Sequence, residues 1–189
     1  MKLGWYEPHL ETSLGWIKSL GLALDAPIID AGGGASTLVD DLLEAGHRAI
    51  TVLDLSEKAL SSVKARLGRK ADLVSWMAGD IASVDLPDRY FDLWHDRAVF
   101  HFLTEPDQQR NYRDKLLRAL KPGGHLIMGT FSPEAPPQCS GLPLQRYSAE
   151  LLENTLGGEF ELKRHHEELH VTPGGVEQMY LYSHFQRRA

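Results

Sequence analysis

The stretch PIIDAGGGAS, residues 27–36, decides the fold. Pro27, Ile28 and Ile29 form a short apolar strand that ends on an acid, Asp30. Gly32, Gly33 and Gly34 come next, and residues from Ser36 to Gly46 have the apolar spacing of a helix. Glycine has no Cβ and tolerates positive φ, so a ligand can approach the backbone closely at such a turn. The spacing Asp30-x-Gly32-x-Gly34-x-Ser36 differs from the dinucleotide fingerprint GxGxxG, both in register and in the acid at the strand end. A pyrophosphate is repelled by that carboxylate, whereas a ligand with a free amine is attracted to it. A tight strand-to-helix turn that binds nothing is the plain alternative.

Working outward, the same unit recurs. Ala49 to Leu53 is a second strand ending at Asp54, and Ser56 is placed to cap a helix whose apolar stripe is Ala59, Leu60, Val63 and Leu67. A third strand, Leu73 to Trp76, is followed by Gly79 and Asp80, and a fourth, Phe91 to His95, is closed by Asp96 and Arg97. Asp107 to Leu120 reads as a helix stopped by Lys121-Pro122-Gly123-Gly124, after which His125 to Phe131 is the fifth strand. A proline-rich loop spans Ser132 to Tyr147, and Ser148 caps a short helix through Leu156. Two last strands flank Thr172-Pro173-Gly174-Gly175 with no helix between them, which predicts an antiparallel hairpin. Before all of these, Leu10 to Leu22 is expected to be a helix packed beside the sheet.

Composition sets the outer limits. The 189 residues fit one domain, with 42% hydrophobic and 24% charged residues, an ordinary folded composition. The expected organisation is a single domain over 1–189, with an N-terminal helix or lid over 1–25 and a substrate-side loop over 132–147. The net charge of -6 argues against nucleic acid, whose phosphates call for a cationic face. No run approaches the roughly 18 apolar residues of a membrane span, and acids near the start disfavour a signal peptide, so a cytoplasmic protein without membrane partners is expected. The one cysteine, Cys139, excludes an internal disulfide and a cysteine-only zinc cage. His166, Glu168 and His170 would share one face of a strand, yet a solvated polar face explains them better than a metal, so none is expected.

The strand-end acids suggest roles for themselves. Asp30 suits an amine. Asp54 can accept hydrogen bonds from both hydroxyls of a ribose, its alternative being to cap the following helix. Asp80 can accept from an adenine amino group, with Met77, Ala78 or Ile81 against the ring, and a surface turn is its alternative.

IIDAGGGAS, VLDLS, the Gly79-Asp80-Ile81 step, FDLWHD and LKPGGHLIMGTF together resemble the successive motifs of class I S-adenosylmethionine-dependent methyltransferases, in order and spacing, over about residues 26 to 131. Ser36 stands where many members have a third glycine. WHDRAVFHFLT and CSGLPLQRY resemble a bacterial subgroup with some likeness to protein-lysine methyltransferases. The resemblance implies a seven-stranded Rossmann-like α/β sheet, mostly parallel with a C-terminal antiparallel hairpin and helices on both faces. It also implies S-adenosylmethionine as cofactor, S-adenosylhomocysteine as product, and cofactor contacts from Asp30, Gly32, Gly33, Gly34, Asp54, Leu55, Gly79, Asp80, Ile81 and His95.

Methyl transfer to an unidentified nucleophile, on a small molecule or a protein side chain, then needs mainly positioning. His95 and Asp96 are expected to orient the substrate, with His101 as a base. The structural alternative has His95 hydrogen-bonded inside the sheet and Arg97 paired with an acid. Trp5, Tyr6 and Glu7 are candidates for a lid over the site. Trp5, Tyr6, Arg97, Arg146 and Tyr147 are the candidate substrate contacts, Arg146 by pairing with a carboxylate or, alternatively, within an internal ion pair. A non-catalytic binding module and a nicotinamide-dependent oxidoreductase are the competing functions, the second disfavoured by Asp30. The assembly is expected to be a monomer or a homodimer.

Overall fold

Nine strands and five helices follow one another in the computed structural model, which describes residues 7–189. Helix α1 is Glu11–Ser19. Then come β1 (Ile28–Ala31), α2 (Leu38–Glu44), β2 (Ile50–Asp54), α3 (Glu57–Leu67), β3 (Val74–Ala78), β4 (Phe91–Arg97), α4 (Pro106–Ala119) and β5 (Leu120–Phe131). Two short strands, β6 (Gln138–Cys139) and β7 (Leu142–Pro143), precede α5 (Ala149–Leu156), β8 (Phe160–Val171) and β9 (Glu177–Arg187).

Seven strands form one sheet in the order β3-β2-β1-β4-β5-β9-β8. The first five are parallel, and β9 runs antiparallel to both β5 and β8. The sheet and final hairpin expected from the motifs are therefore present. Strand order reverses between β1 and β4, and in open α/β sheets ligands bind in the crevice at such a switch point.

Period-two alternation sends each strand's side chains to opposite faces. Ile28, Ile50, Val52, Leu93 and Ile127 pack with Leu10, Ile17, Leu38, Leu42, Leu60 and Val63, so α1, α2 and α3 cover one face. Ile29, Trp94, Leu126 and Phe185 pack with Tyr112, Leu116, Leu152 and Leu156, so α4 and α5 cover the other. The Ser56 hydroxyl caps α3 by accepting from the Ala59 N–H at 3.2 Å, and Ser148 caps α5 through Leu151 at 3.1 Å, both as the sequence suggests.

Three local features stand out, the last two departing from expectation. Among the described residues no helix joins β3 to β4, and Ile81 and Leu86 from that connection enter the core directly. Strand β5 starts at Leu120, opposite Phe91, and regular pairing resumes only at His125 opposite Leu93. The Pro-Gly-Gly insertion between them is an irregularity within the strand rather than the end of the helix. The loop after β5 folds into the β6/β7 hairpin, turned by Ser140 and Gly141 at φ of 53° and 78°.

Candidate functional site

A cavity of about 630 Å³ lies over the C-terminal ends of β1 to β4, at the switch point. One half is walled by Asp30, Gly32, Gly33, Asp54, Leu55, Gly79, Asp80 and Ile81. Adjacent strands lie about 4.8 Å apart, so acids that close successive neighbours are brought together although they stand far apart in the chain.

Each acid is held in a particular way. Asp54 accepts from the Gly34 N–H at 2.9 Å on one oxygen and from the Ser56 N–H at 2.7 Å on the other. The carboxylate is fixed by the backbone around it, and each oxygen keeps acceptor capacity toward the cavity. Asp54 thus does orient the turn into α3, and it still lines the cavity. Asp80 accepts from the Ala82 N–H at 2.9 Å and is exposed at the rim. Asp30 is 2% exposed, its Oδ1 lies 2.7 Å from His95 Nδ1, and its Oδ2 has no hydrogen-bond partner among the described residues. A buried carboxylate oxygen without a donor is costly, and a cationic or hydrogen-bonding ligand group would relieve it.

The glycines are needed because the acids lie against them. A methyl at Gly33 would meet Asp30 Oδ2 at 2.3 Å, and one at Gly34 would meet Asp54 Oδ2 at 2.3 Å. Gly32, at φ 76°, would meet Val99 Cγ2 at 2.0 Å. The set of acceptors fits an adenosyl ligand with a cationic amino-acid end: an orphan carboxylate for an ammonium, a fixed one for a ribose, and an acid with Ile81 at the third strand.

Glu7, Leu10, His95, Arg97, Ala98, Val99, Phe102, Leu103, Cys139, Ser140 and Leu142 line the other half. The N-terminal segment crosses this half: Thr37 Oγ1 donates to the Pro8 carbonyl at 2.9 Å, and Glu7 pairs with Arg97 at 3.0 Å and with His170 at 2.6 Å. Glu7 therefore does lie over the site. Trp5 and Tyr6 lie outside the described residues. Arg97, which sits in the cavity wall, also donates to the Tyr182 hydroxyl at 2.8 Å and lies 4.4 Å from the Tyr180 ring centre. His95 lines the cavity with both ring nitrogens engaged, Nδ1 by Asp30 at 2.7 Å and Nε2 by Ser13 Oγ at 2.9 Å.

The remaining sequence candidates lie elsewhere. Asp96 points to the opposite face, where it accepts from the Tyr112 hydroxyl at 2.5 Å and the Val99 N–H at 3.0 Å. Burial pushes its carboxyl up to about 6, against the pull of the Tyr112 and backbone donors. Its work is to hold the turn in which Ala98, at φ 69°, aims Val99 over Gly32. That left-handed alanine costs about 1 to 2 kcal/mol. His101, expected as a base, also lies away from the cavity. It is fully buried, and its Nδ1 accepts from the Phe131 N–H at 3.1 Å, which leaves the proton on Nε2. Burial, and secondarily the Arg97 charge, lower its pKa to about 3. Arg146 donates from Nη1 to the carbonyls of Pro133 at 2.9 Å and Ala135 at 3.1 Å, clamping its own loop. Tyr147 is buried in the core against Phe100.

Sequence reasoning missed Ser13, Leu10, Val99, Phe102, Leu103 and Leu142. Only the last four carried a signal, since they lie in the segments that follow the fourth and fifth strands. Ser13 is 82 residues from its partner and carried none.

With this geometry in hand, the chain can be compared with known proteins. The model of a family described as "Methyltransferase domain" matches residues 29–128, more than half of the chain. The ubiquinone/menaquinone biosynthesis C-methyltransferase UbiE of Roseobacter denitrificans is 28% identical over 135 residues, 70% of this chain and 52% of the relative. Nodulation protein S of Rhizobium tropici is 29% identical over 105 residues, 56% of this chain and 43% of the relative. The chain spans about half the length of the curated relatives it matches. Among solved structures, the N-methyltransferase NodS from Bradyrhizobium japonicum in complex with S-adenosylhomocysteine has a TM-score of 0.73 at 20% identity, covering 94% of this chain and 85% of that one. The 1,6-didemethyltoxoflavin-N1-methyltransferase of Burkholderia thailandensis, with 1,6-didemethyltoxoflavin and S-adenosylhomocysteine bound, has a TM-score of 0.69 at 23% identity, covering 94% and 77%. At these identities the structural likeness shows a shared fold.

Two outcomes are expected. Gly33→Ala displaces the Asp30 carboxylate and weakens S-adenosylhomocysteine binding by about tenfold, roughly 1.4 kcal/mol, by calorimetry; unchanged affinity in a folded variant contradicts the packing argument. Because the folded pKa of His101 lies below its ordinary 6.5, the neutral ring's stabilisation is complete above pH 6.5 and lost as pH falls toward 3. Its ring resonances should stay those of the Nε2–H tautomer from pH 8 to pH 5, and a midpoint near 6.5 would return His101 to contention as a base.

Proposed function

The chain belongs to the methyltransferase-domain family, and from that premise we propose that it uses S-adenosylmethionine to methylate a small-molecule nucleophile by in-line displacement, without a histidine base. The observation that carries this reading is the division of the cavity. One half offers carboxylates spaced for a cationic nucleoside, and the other is largely apolar and roofed by Glu7, Leu10 and the β6/β7 hairpin.

The cofactor supplies an electrophilic methyl on a sulfonium whose leaving group needs no proton. The chain's own residues bind, orient and exclude water. Asp30, Asp54 and Asp80 hold the amine, ribose and adenine ends, with Leu55, Gly79 and Ile81 as apolar and backbone contacts. Leu10, Val99, Phe102, Leu103 and Leu142 desolvate the acceptor, and Glu7 and Arg97 give it a polar edge. Orientation of two reactants in such a site is worth about 7 to 11 kcal/mol, enough to dominate catalysis. With His101 outside the cavity and His95 held between Asp30 and Ser13, no proton transfer to a histidine is invoked, and the acceptor enters as a nucleophile already free of its proton.

Small-molecule acceptance is supported by the toxoflavin-precursor enzyme, whose bound acceptor is a small molecule in a related fold.

The test is transfer of radiolabelled methyl from S-adenosylmethionine in an extract of the source cells. Label in the metabolite fraction is expected, and label confined to macromolecules contradicts the small-molecule reading. In calorimetry, Asp54→Asn should weaken S-adenosylhomocysteine by roughly tenfold, about 1.4 kcal/mol. Unchanged affinity removes Asp54 from the ribose site.

A further inference from the structure

Three polar side chains from three distant segments meet inside the apolar layer between α1 and the sheet. Ser13 is 0% exposed, His95 1% and Asp30 2%. Ser13 Oγ lies 2.9 Å from His95 Nε2, and His95 Nδ1 lies 2.7 Å from Asp30 Oδ1. An ionised carboxylate only accepts hydrogen bonds, so Nδ1 of His95 donates. On the neutral ring Nε2 is then an acceptor, and the Ser13 hydroxyl donates to it.

The chain of bonds ends at an oxygen with no partner among the described residues, Asp30 Oδ2, beside Gly33 at the cavity wall. Packing alone gives no reason for this arrangement. Ser13 lies between Leu10, at the N-cap of its helix, and Ile17, which both join the apolar cluster, and an apolar residue at 13 would avoid burying a hydroxyl. A network of this kind makes sense when its last member must present one atom in one direction to a ligand.

We propose that Ser13 and His95 are positioning residues for the cofactor's ammonium group: they fix the rotation of the Asp30 carboxylate so that Oδ2 faces the cavity. Through Ser13, helix α1 is thereby tied to the amine end of the cofactor site. The inference rests on the adenosyl-cofactor reading above and adds to it Ser13, which does not line the cavity, and the bonds by which Ser13 and His95 hold Asp30.

Two ligands separate this role from a general structural one: S-adenosylhomocysteine, which carries the amino-acid tail, and 5′-methylthioadenosine, which lacks it. In calorimetry, Ser13→Ala should weaken the first by about threefold to tenfold, the scale of one lost hydrogen bond, and leave the second unchanged. An equal loss for both ligands, or no loss for either, overturns the relay while leaving the cofactor reading intact. A parent protein that binds neither ligand contradicts both. Nitrogen-15 spectra of the parent with S-adenosylhomocysteine give a test that needs no variant: His95 should be the Nδ1–H tautomer, and an Nε2–H tautomer overturns the proposal.

Discussion

A carboxylate at 2% exposure cannot be left without partners, and the architecture around Asp30 follows from that constraint. One oxygen is met by His95 from the neighbouring strand, in the register that sets Asp30 opposite His95. The other lies beneath a glycine turn that has no Cβ at Gly33 to occupy the space. The turn is thus shaped by the acid as much as by any ligand. In the same way Gly34 is shaped by Asp54, and Gly32 by Val99.

Sheet topology turns these local constraints into a site. Parallel strands end on the same side, and the order β3-β2-β1-β4 brings Asp80, Asp54, Asp30 and His95 into a row at the crevice where the order reverses. On the far side of that row, Arg97 lies over Tyr180 and bonds Tyr182, and the N-terminal segment closes over it through Glu7. Two chemically different compartments result, one acidic and built on strand ends, the other apolar and built on loops.

The acidic compartment was legible in the sequence because each of its members is local to a strand end: PIID, VLD and Gly79-Asp80 announce themselves within a few residues. The apolar compartment was less legible, for reasons visible in particular residues. Asp96 looked like a site residue because it adjoins His95, but strand periodicity sends 95 and 97 to one face and 96 to the other, where Tyr112 holds it. His101 looked like a base because histidines titrate near neutrality, and its burial, which keeps it neutral, is a tertiary property. Arg146 satisfies carbonyls of its own loop, a pairing that no charge pattern advertises. Ser13 is the clearest case: an unremarkable serine in an amphipathic helix becomes the partner of His95 only when α1 docks on the sheet.

On the proposal above, the unpaired oxygen of Asp30 is the seat of the cofactor's ammonium group. A crystal structure with S-adenosylhomocysteine bound tests it most directly. The amino nitrogen should stand about 3 Å from Asp30 Oδ2, with His95 and Ser13 unmoved. An adenosyl ligand whose amino nitrogen lies away from Asp30, with that oxygen still unpartnered, would contradict the claim.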